Sequence, residues 1–308
     1  MGCTLISEVN CGKANPNKFL IMLNIQNLSK TYSNGVRAIN NISLQIGPGM
    51  FGLLGPNGAG KSSLMRTIAT LQLPDEGTLT FGEIDILKQP HELRKVLGYL
   101  PQEFGVYPKV SAEELLTHLA VLKGLTEPKS RKEWVDYLLQ KTNLYDVRKK
   151  NLGTYSGGMK QRFGIAQALL GKPALIIVDE PTAGLDPAER VRFHNLLSEI
   201  GETTVVILST HIVEDVSNLC HAMAIINKGS VVAYGKPQDT LERLSGKIFA
   251  RMIEKNALEA FQKEFKVLNS RLMGGKPMVF VYAESHPGEG FSEVEAGLEE
   301  VYFYHILD

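Results

Sequence analysis

The sequence feature that most constrains this chain is a glycine-rich stretch at residues 55–62, which reads Gly-Pro-Asn-Gly-Ala-Gly-Lys-Ser. The stretch matches the pattern G-x-x-x-x-G-K-S and lies between an apolar run at residues 50–54 and a segment with helical apolar spacing. Glycines let the backbone curl so that successive N–H groups point inward, and the start of a helix adds positive partial charge. We therefore predict a strand–loop–helix unit that binds phosphate, in preference to a glycine-rich turn followed by a chance Lys-Ser pair.

The residue types in this loop indicate a nucleotide and a metal ion as ligands. Lys61 is expected to reach the β- and γ-phosphates, and the hydroxyl of Ser62 is expected to ligate Mg²⁺. The predicted nucleotide-binding residues of the loop and the following helix are Gly55, Pro56, Asn57, Gly58, Ala59, Gly60, Lys61, Ser62 and Ser63. Such a site concentrates its positive charge locally, so it requires no overall excess of basic residues. The chain has 33 Lys and Arg against 33 Asp and Glu. That balance disfavours nucleic acid as a partner.

A second signal is a pair of adjacent carboxylates, Asp179 and Glu180, which follows the apolar run at residues 174–178. We expect Asp179 to hold Mg²⁺ directly or through water. Glu180 is expected to orient or deprotonate a water that attacks the γ-phosphate. Two exposed acids at a strand end would be ordinary by themselves, but beside a phosphate-binding loop they favour nucleotide hydrolysis.

A second glycine-rich helix start lies between these two motifs. Ser156 predicts a helix cap, and Gly157 and Gly158 leave the first helical turn bare, so this N-terminus is also suited to phosphate. The helix carries an apolar stripe at Met159, Phe163, Ala166 and Leu170. One explanation for two such starts in one chain is that the second serves a nucleotide held by another copy of the protein.

Taken together and in this order, the motifs resemble those of the ATP-binding cassette (ABC) ATPase family over about residues 23–235. The Ser-Gly-Gly sequence is similar to the family signature. Gln102 resembles the Q-loop glutamine, Asp186 the D-loop aspartate and His211 the switch histidine. Tyr32 resembles the aromatic residue that stacks on adenine. In isolation Gln102, His211 and Tyr32 each have an ordinary explanation as a surface or packing residue. The joint order of the motifs favours the functional explanation for Gln102 and His211, and it adds less for Tyr32 because loop aromatics are common.

The resemblance implies an ATPase in which two copies close head to tail on two ATP molecules. Each γ-phosphate would lie between Lys61 of one copy and residues 156–158 of the other. Glu180 would act on water, His211 would contact the γ-phosphate, and Gln102 would contact Mg²⁺ or the water. The metal ligands that the resemblance implies are Ser62, Gln102 and Asp179.

The expected fold is α/β, a P-loop NTPase of the ABC type. Apolar β-branched runs that alternate with helical stretches predict a mostly parallel core sheet, accompanied by an antiparallel β portion. Two sequences with capping-box spacing, Ser111-Ala-Glu-Glu114 and Ser130-Arg-Lys-Glu133, indicate that residues 104–172 form an inserted helical subdomain.

Three segments are expected along the chain. Residues 1–21 are predicted to be a flexible N-terminal extension and residues 22–239 the ABC ATPase domain. Residues 240–308 are predicted to form a small C-terminal α+β module.

The expected partners are a second copy of an ABC ATPase subunit and separate multi-span membrane permease subunits. No segment has the roughly 18–20 apolar residues needed to cross a bilayer. The chain is therefore expected in the cytoplasm, at the inner face of the membrane through those subunits. Tyr155, which replaces the usual first leucine of the signature, and the tail at residues 298–304 resemble exporter-type cassettes and favour export. An apolar loop at Phe104, Val106 and Tyr107 either contacts the permease or packs inside the helical subdomain.

Two other functions compete with a transporter ATPase. A cassette ATPase that acts on ribosomes or DNA typically has two cassettes, a long coiled coil or a zinc insertion. This sequence has one G-x-x-x-x-G-K-S motif, no heptad run and no cysteine cluster among Cys3, Cys11 and Cys220. A small-molecule kinase on the same frame does not explain the Ser-Gly-Gly helix start.

Overall fold

The computed structural model describes residues 21–182 and 185–307, and the predicted N-terminal extension lies outside them except for Ile21. The strands are β1 (Leu23–Thr31), β2 (Arg37–Ile46), β3 (Gly49–Leu54), β4 (Glu76–Phe81), β5 (Ile84–Asp85), β6 (Leu97–Leu100), β7 (Leu175–Asp179), β8 (Val205–Thr210), β9 (Ala222–Asn227), β10 (Ser230–Gly235), β11 (Ile248–Met252), β12 (Lys266–Met273), β13 (Lys276–Tyr282) and β14 (Ser292–Glu293). The helices are α1 (Lys61–Ile68), α2 (Pro90–Val96), α3 (Ala112–Leu122), α4 (Pro128–Lys141), α5 (Gly157–Ala168), α6 (Pro187–Gly201), α7 (Val213–Leu219), α8 (Pro237–Glu242), α9 (Leu258–Glu264) and α10 (Leu298–Ile306).

The central sheet has the strand order β10-β9-β3-β8-β7-β6. All neighbours from β9 to β6 pair in parallel, and β10 pairs with β9 in the antiparallel direction. Both β7 and β8 are buried along their whole length, as expected for parallel strands that are covered on both faces. The predicted mostly parallel core is therefore confirmed. Its parallel strands end at one common edge, which is where ligands bind in sheets of this type.

The predicted antiparallel portion is a second sheet with the strand order β2-β1-β4-β5. In β2, the side chains of Ile42, Leu44 and Ile46 are buried and the residues between them are exposed, so this sheet is apolar on one face. That face packs against Phe51 and Leu53 of β3 in a shared core. The two sheets therefore enclose the strand that leads into the glycine-rich loop.

The segment between β6 and β7 is mainly helical, and α3, α4 and α5 pack against one another. The predicted capping box at the start of α3 is confirmed. The Glu114 N–H donates to Ser111 Oγ at 3.3 Å, and the Ser111 N–H donates to the Glu114 carboxylate at 3.0 Å.

The second predicted capping box, at Ser130, is wrong. Helix α4 begins at Pro128, and the Glu127 side chain accepts hydrogen bonds from the N–H groups of Lys129 and Ser130. Proline is favoured at the first helical position because it has no N–H to satisfy there. The proline and the carboxylate before it therefore start the helix earlier than the serine would.

The apolar loop after β6 was expected either to contact the permease or to pack inside the helical subdomain, and its three side chains differ in this respect. Phe104 and Val106 are half-buried and pack against the core of the helical segment, where Phe104 lies close to Gly164 of α5. Tyr107 is exposed. Packing therefore explains two of the three side chains.

The C-terminal part of the described chain is an antiparallel sheet with the strand order β12-β13-β11-β14, joined by α9 and α10. It has a small core of its own, which is formed by Phe249, Ile253, Val279, Val281 and Phe291. Ser292 pairs with Ala250 as part of β14, and helix α10 begins at Leu298. Helix α10 packs against α7 and α8 and attaches this part to the central sheet.

In the part of the chain that the structure describes, no helix combines the length and the apolar character that crossing a bilayer requires.

Candidate active site

The glycine-rich loop links the end of β3 to the start of α1, as predicted. Two of its glycines have no room for a side chain. A Cβ on Gly55 would lie 2.4 Å from the Ile226 carbonyl oxygen, and one on Gly60, whose φ is +108°, would lie 2.2 Å from that of Ala38. Helix α1 has no side-chain cap, so the N–H groups of its first turn stay available to an anion.

Lys61 folds back over this loop. Its side chain is buried, and its Nζ donates a hydrogen bond to the Gly55 carbonyl oxygen at 2.6 Å. Burial lowers the pKa of Lys61, and the nearby charges of Glu180 and Asp179 act in the opposite direction. The lysine of the loop and the two carboxylates after β7 therefore share one electrostatic environment.

Asp179 and Glu180 are both buried at the carboxyl edge of the central sheet. Glu180 has a φ of +49°, a left-handed conformation that is costly for a residue with a side chain, and its N–H donates to the Ser209 carbonyl oxygen at 2.8 Å. Among the described residues, Asp179 Oδ1 and Ser209 Oγ are buried without a hydrogen-bond partner. Unpaired buried oxygens at such an edge fit a site that binds a cation or water.

His211 directly follows β8, which is the neighbour of β7 in the sheet. Its Nδ1 lies 2.8 Å from Glu180 Oε2, and 56% of its side chain is exposed. The structure therefore brings together Lys61, Asp179, Glu180 and His211. Gln102 lies just after β6 on the other side of β7, where its side chain is exposed and makes no hydrogen bond to another described residue.

Ser156 caps α5 as predicted, since its Oγ accepts a hydrogen bond from the Met159 N–H at 3.2 Å. A Cβ on Gly157 would meet no other atom within 4 Å, whereas one on Gly158 would lie 2.6 Å from a carboxylate oxygen of Glu189. Tyr155 is buried, and its hydroxyl donates to the Val147 carbonyl oxygen at 3.0 Å. That acceptor explains how a tyrosine is accommodated where the signature usually has leucine.

The structure does not join this second helix start to the first. Within the described residues, no hydrogen bond or ion pair connects residues 156–158 to residues 55–63. Asp186 is also apart from the loop, where its side chain caps α6 by accepting from the Glu189 N–H at 2.8 Å. Its neighbours Ala183 and Gly184 lie outside the described residues.

Tyr32 is anchored beside α1. Its hydroxyl lies 3.0 Å from Ser63 Oγ and donates to Gln72 Oε1 at 3.0 Å, while 37% of the residue is exposed. The Gln72 amide in turn donates to the Ser63 carbonyl oxygen and to Thr67 Oγ1. The ring is thus held against the helix that starts at Lys61.

Sequence reasoning missed Gln72 and one further residue, Asp215. Asp215 lies on α7, fully buried among polar side chains. Neither position belongs to a spaced motif. In the sequence, Gln72 resembles an ordinary turn residue, and Asp215, beside Glu214, resembles one acid of a solvated helix.

The comparisons with known proteins agree with this geometry. The family model described as ABC transporter matches residues 39–183. The linearmycin resistance ATP-binding protein LnrL of Bacillus subtilis is 36% identical over 242 residues, which cover 78% of this chain and 77% of that protein. This chain belongs to the ABC transporter family. It is an ATP-binding, ATP-hydrolysing subunit of an ABC transporter, and subunits of this kind dimerise and work with membrane subunits.

Two further similarities add detail. The Nod factor export ATP-binding protein I of Rhizobium etli is 33% identical to this ABC subunit over 230 residues, which cover 74% of this chain and 72% of that protein. A dimeric ATP-binding cassette solved in a post-hydrolysis state with ADP and Pi superposes with a TM-score of 0.63 at 25% identity, covering 70% of this chain and 98% of the other. The predicted fold class is confirmed, and the kinase and ribosome- or DNA-directed alternatives are set aside.

Proposed function

We propose that two copies of this chain close head to tail on two ATP molecules, and that hydrolysis drives export through separate multi-span membrane permease subunits. In this proposal the chain lies in the cytoplasm, held at the inner face of the membrane by those subunits. The observation that carries the proposal is the convergence of Lys61, Asp179, Glu180 and His211 at one edge of the central sheet. Three separate segments of the chain supply these groups, and each matches a predicted role.

The loop and the first turn of α1 would bind the phosphates. The glycines that tolerate no Cβ let the backbone approach closely, and the N–H groups without a side-chain cap point toward the anion. Lys61 would exchange its bond to the Gly55 carbonyl oxygen for the β- and γ-phosphate oxygens. Tyr32 would offer its exposed ring to adenine.

Glu180 would act on the attacking water. Its carboxylate is buried beside the loop, and Glu180 Oε2 lies 2.8 Å from His211 Nδ1 but accepts no hydrogen bond from the described residues, so it is available to a water. The exposed part of His211 would remain free to contact the γ-phosphate. The left-handed backbone at Glu180 supports a functional role, because such strain persists where the surroundings enforce it.

Mg²⁺ fits the residues at this edge. Asp179, whose buried Oδ1 has no partner among the described residues, would hold it together with Ser62 and Gln102. The ion would neutralise charge on the phosphate oxygens when bound. Because the exposed Gln102 side chain makes no hydrogen bond to any residue that the structure describes, it is free to turn toward the site.

The second copy would supply residues 156–158 and Asp186. At the start of α5, Gly157 is exposed and a Cβ there would meet no other atom within 4 Å, while the Ser156 side chain already caps the Met159 N–H. A γ-phosphate from the partner would satisfy both helix starts at once, whereas ADP lacks that charge. This difference would couple hydrolysis to opening of the dimer.

Export and separate permeases are supported by the relatives. LnrL and the Nod factor protein are both called ATP-binding proteins, and one name refers to drug resistance and the other to export. This chain spans about three quarters of each. Tyr155 and the tail at residues 298–304 support the exporter branch as well.

The variant Glu180→Gln tests the proposal. The amide keeps the size of the side chain but cannot accept a proton from water, so turnover should fall by about 100-fold or more while ATP still drives dimerisation. Steady-state ATPase rates and light scattering with and without ATP measure the two effects. In parallel, Lys61→Ala should abolish ATP binding.

Normal turnover of Glu180→Gln would refute the assignment of the base. Unchanged ATP affinity of Lys61→Ala would refute the assignment of the phosphate loop. The partner is tested with the same Glu180→Gln variant, which should co-purify with a multi-span membrane protein encoded by a neighbouring gene. Recovery of the ATPase without any membrane protein would count against a separate permease.

A further inference from the structure

Asp215 is a fully buried carboxylate that the proposed chemistry does not use. None of the residue is exposed to solvent. Its Oδ2 accepts from Thr182 Oγ1 at 2.9 Å, and its Oδ1 accepts from Arg190 Nε at 2.9 Å and from Nη2 at 2.5 Å. His194 Nε2 lies 3.1 Å from the same Oδ1. Burying a charge is costly unless it is paired in this way.

These contacts connect the segments that follow the proposed site residues. Thr182 comes two residues after Glu180, and Arg190 comes four residues after Asp186 on α6. Asp215 itself comes four residues after His211, on α7. Since Glu180 and His211 already lie 2.8 Å apart, the segments after β7 and β8 are joined at two points.

Helix α5 is attached to the segment that follows β7. Gln161 Nε2 donates to the Pro181 carbonyl oxygen at 2.9 Å, one residue before Thr182. The two residues that follow Glu180 are therefore held by α5 at Pro181 and by α7 at Thr182. A movement of α5, or of α6 through Arg190 and Asp215, would be transmitted through these two residues to Glu180.

Stability alone is a weak explanation for Asp215. Well-packed apolar residues often replace a buried ion pair without loss of stability, so the presence of the pair is weak evidence that it serves stability. The contacts of Asp215 fix the relative positions of three segments, and each segment begins beside a proposed site residue. Displacing a reacting group by about 1 Å can reduce a rate by about 100-fold.

We propose that Asp215 is a positioning residue for ATP hydrolysis, which holds the loop after Glu180, the helix after Asp186 and the helix after His211 in one register. The inference rests on the proposed roles of Glu180 and His211. Asp215 touches no reacting atom and acts only through these neighbours. Its removal should therefore affect the chemical step more than the binding of ATP.

The first test removes one hydrogen bond to Asp215 and compares the effect with the loss of a threonine hydroxyl elsewhere in the chain. Thr182→Val deletes the hydroxyl that donates to Asp215 and keeps the shape of the side chain. Thr142→Val is the control, because Thr142 is also buried and its Oγ1 donates to the Leu138 carbonyl oxygen at 2.8 Å, at the end of α4. Single-turnover hydrolysis, KM for ATP and Tm are measured on the full-length chain.

We expect Thr182→Val to lower the hydrolysis rate by about tenfold or more, with KM changed by less than about threefold. Thr142→Val should lower Tm to a similar extent and leave the rate unchanged. Equal rates for the two variants would overturn the inference, because the hydroxyl at Thr182 would then have only a structural role.

The second test separates stability from register. Asp215→Asn leaves the guanidinium of Arg190 without its carboxylate, and should lower both Tm and the hydrolysis rate. In the double variant with Arg190→Gln, both charges of the buried pair are gone and the Glu214 carboxylate, which also lies near Arg190, is exposed to water, so Tm should recover. The rate should stay low, since the three segments are still not held together. Recovery of the rate together with Tm would overturn the inference.

Failure of the proposed function would be seen separately. Glu180→Gln is assayed beside these variants, and its turnover reports on the base assignment whatever Asp215 does. If Glu180→Gln is inactive and Thr182→Val hydrolyses ATP at the normal rate, the site assignment stands and the role of Asp215 is refuted.

Discussion

At the scale of single residues, the anchoring of Tyr32 is the contact that the sequence could not predict. The resemblance to the family indicated a ring that stacks on adenine, but nothing in the motif specified what holds that ring. In the structure, Gln72, forty residues away, holds the ring. Its side chain accepts a hydrogen bond from the Tyr32 hydroxyl and donates one to the Ser63 carbonyl oxygen in the first turn of α1. Such a contact depends on how two sheets pack, which residue spacing does not encode.

This anchoring leads to a prediction about nucleotide affinity. Tyr32→Phe and Gln72→Met should each raise KM for ATP by about fivefold at constant kcat, because both remove the hydrogen bond between Tyr32 and Gln72 that orients the ring. The effect should be absent for tripolyphosphate, which has no base to stack. Tyr137→Phe, at a similarly exposed tyrosine on α4, is the control and should bind ATP as the wild type does. Equal losses of ATP and tripolyphosphate binding would show that the ring does not act on the base.

At the scale of elements, the strands were predictable and the helix starts were less so. The apolar runs at β3, β7 and β8 give parallel strands because both of their faces are covered. The spacing of Ser130 to Glu133 fits a capping box and predicts a helix start at Ser130. A competing start at Glu127 and Pro128 prevails, since the carboxylate accepts two N–H groups where the serine would accept one.

The cap at Glu127 leads to a prediction about pH. Hydrogen bonds from the Ser130 and Lys129 N–H groups lower the pKa of Glu127 from 4.5 to about 2. Because the pKa is lower in the folded chain, the stabilisation is present above pH 4.5 and is lost as the pH falls toward 2. Glu127→Gln should therefore have a lower Tm than the wild type at pH 7, and the difference should shrink below pH 4.5.

The control for this prediction is Glu133→Gln, which changes an exposed glutamate in the interior of the same helix. Its Tm should follow that of the wild type at every pH. A Tm difference for Glu127→Gln that stays constant down to pH 3.5 would contradict the cap as its cause.

At the scale of the whole molecule, the residues of the proposed site lie in two separate places within one copy. The phosphate loop, Asp179, Glu180 and His211 meet at one edge, while the open helix start at residues 156–158 has no bond to them within the described residues. The sequence motifs predicted both halves of the site, and their separation within one chain agrees with the head-to-tail dimer that the resemblance implied. The coupling through Asp215 came only from the structure.

The shared site is tested most directly by mixing two inactive variants. Lys61→Ala disables the loop, and Gly157→Asp places a negative charge at the open start of α5, where a side chain meets no other atom of its own chain. A mixed dimer then contains one site with an intact loop from one copy and an intact helix start from the other. We predict that the mixture regains about a quarter of the wild-type ATPase rate, because about half of the dimers are mixed and each has one complete site. A mixture no more active than the two variants assayed separately would contradict a site shared between two copies.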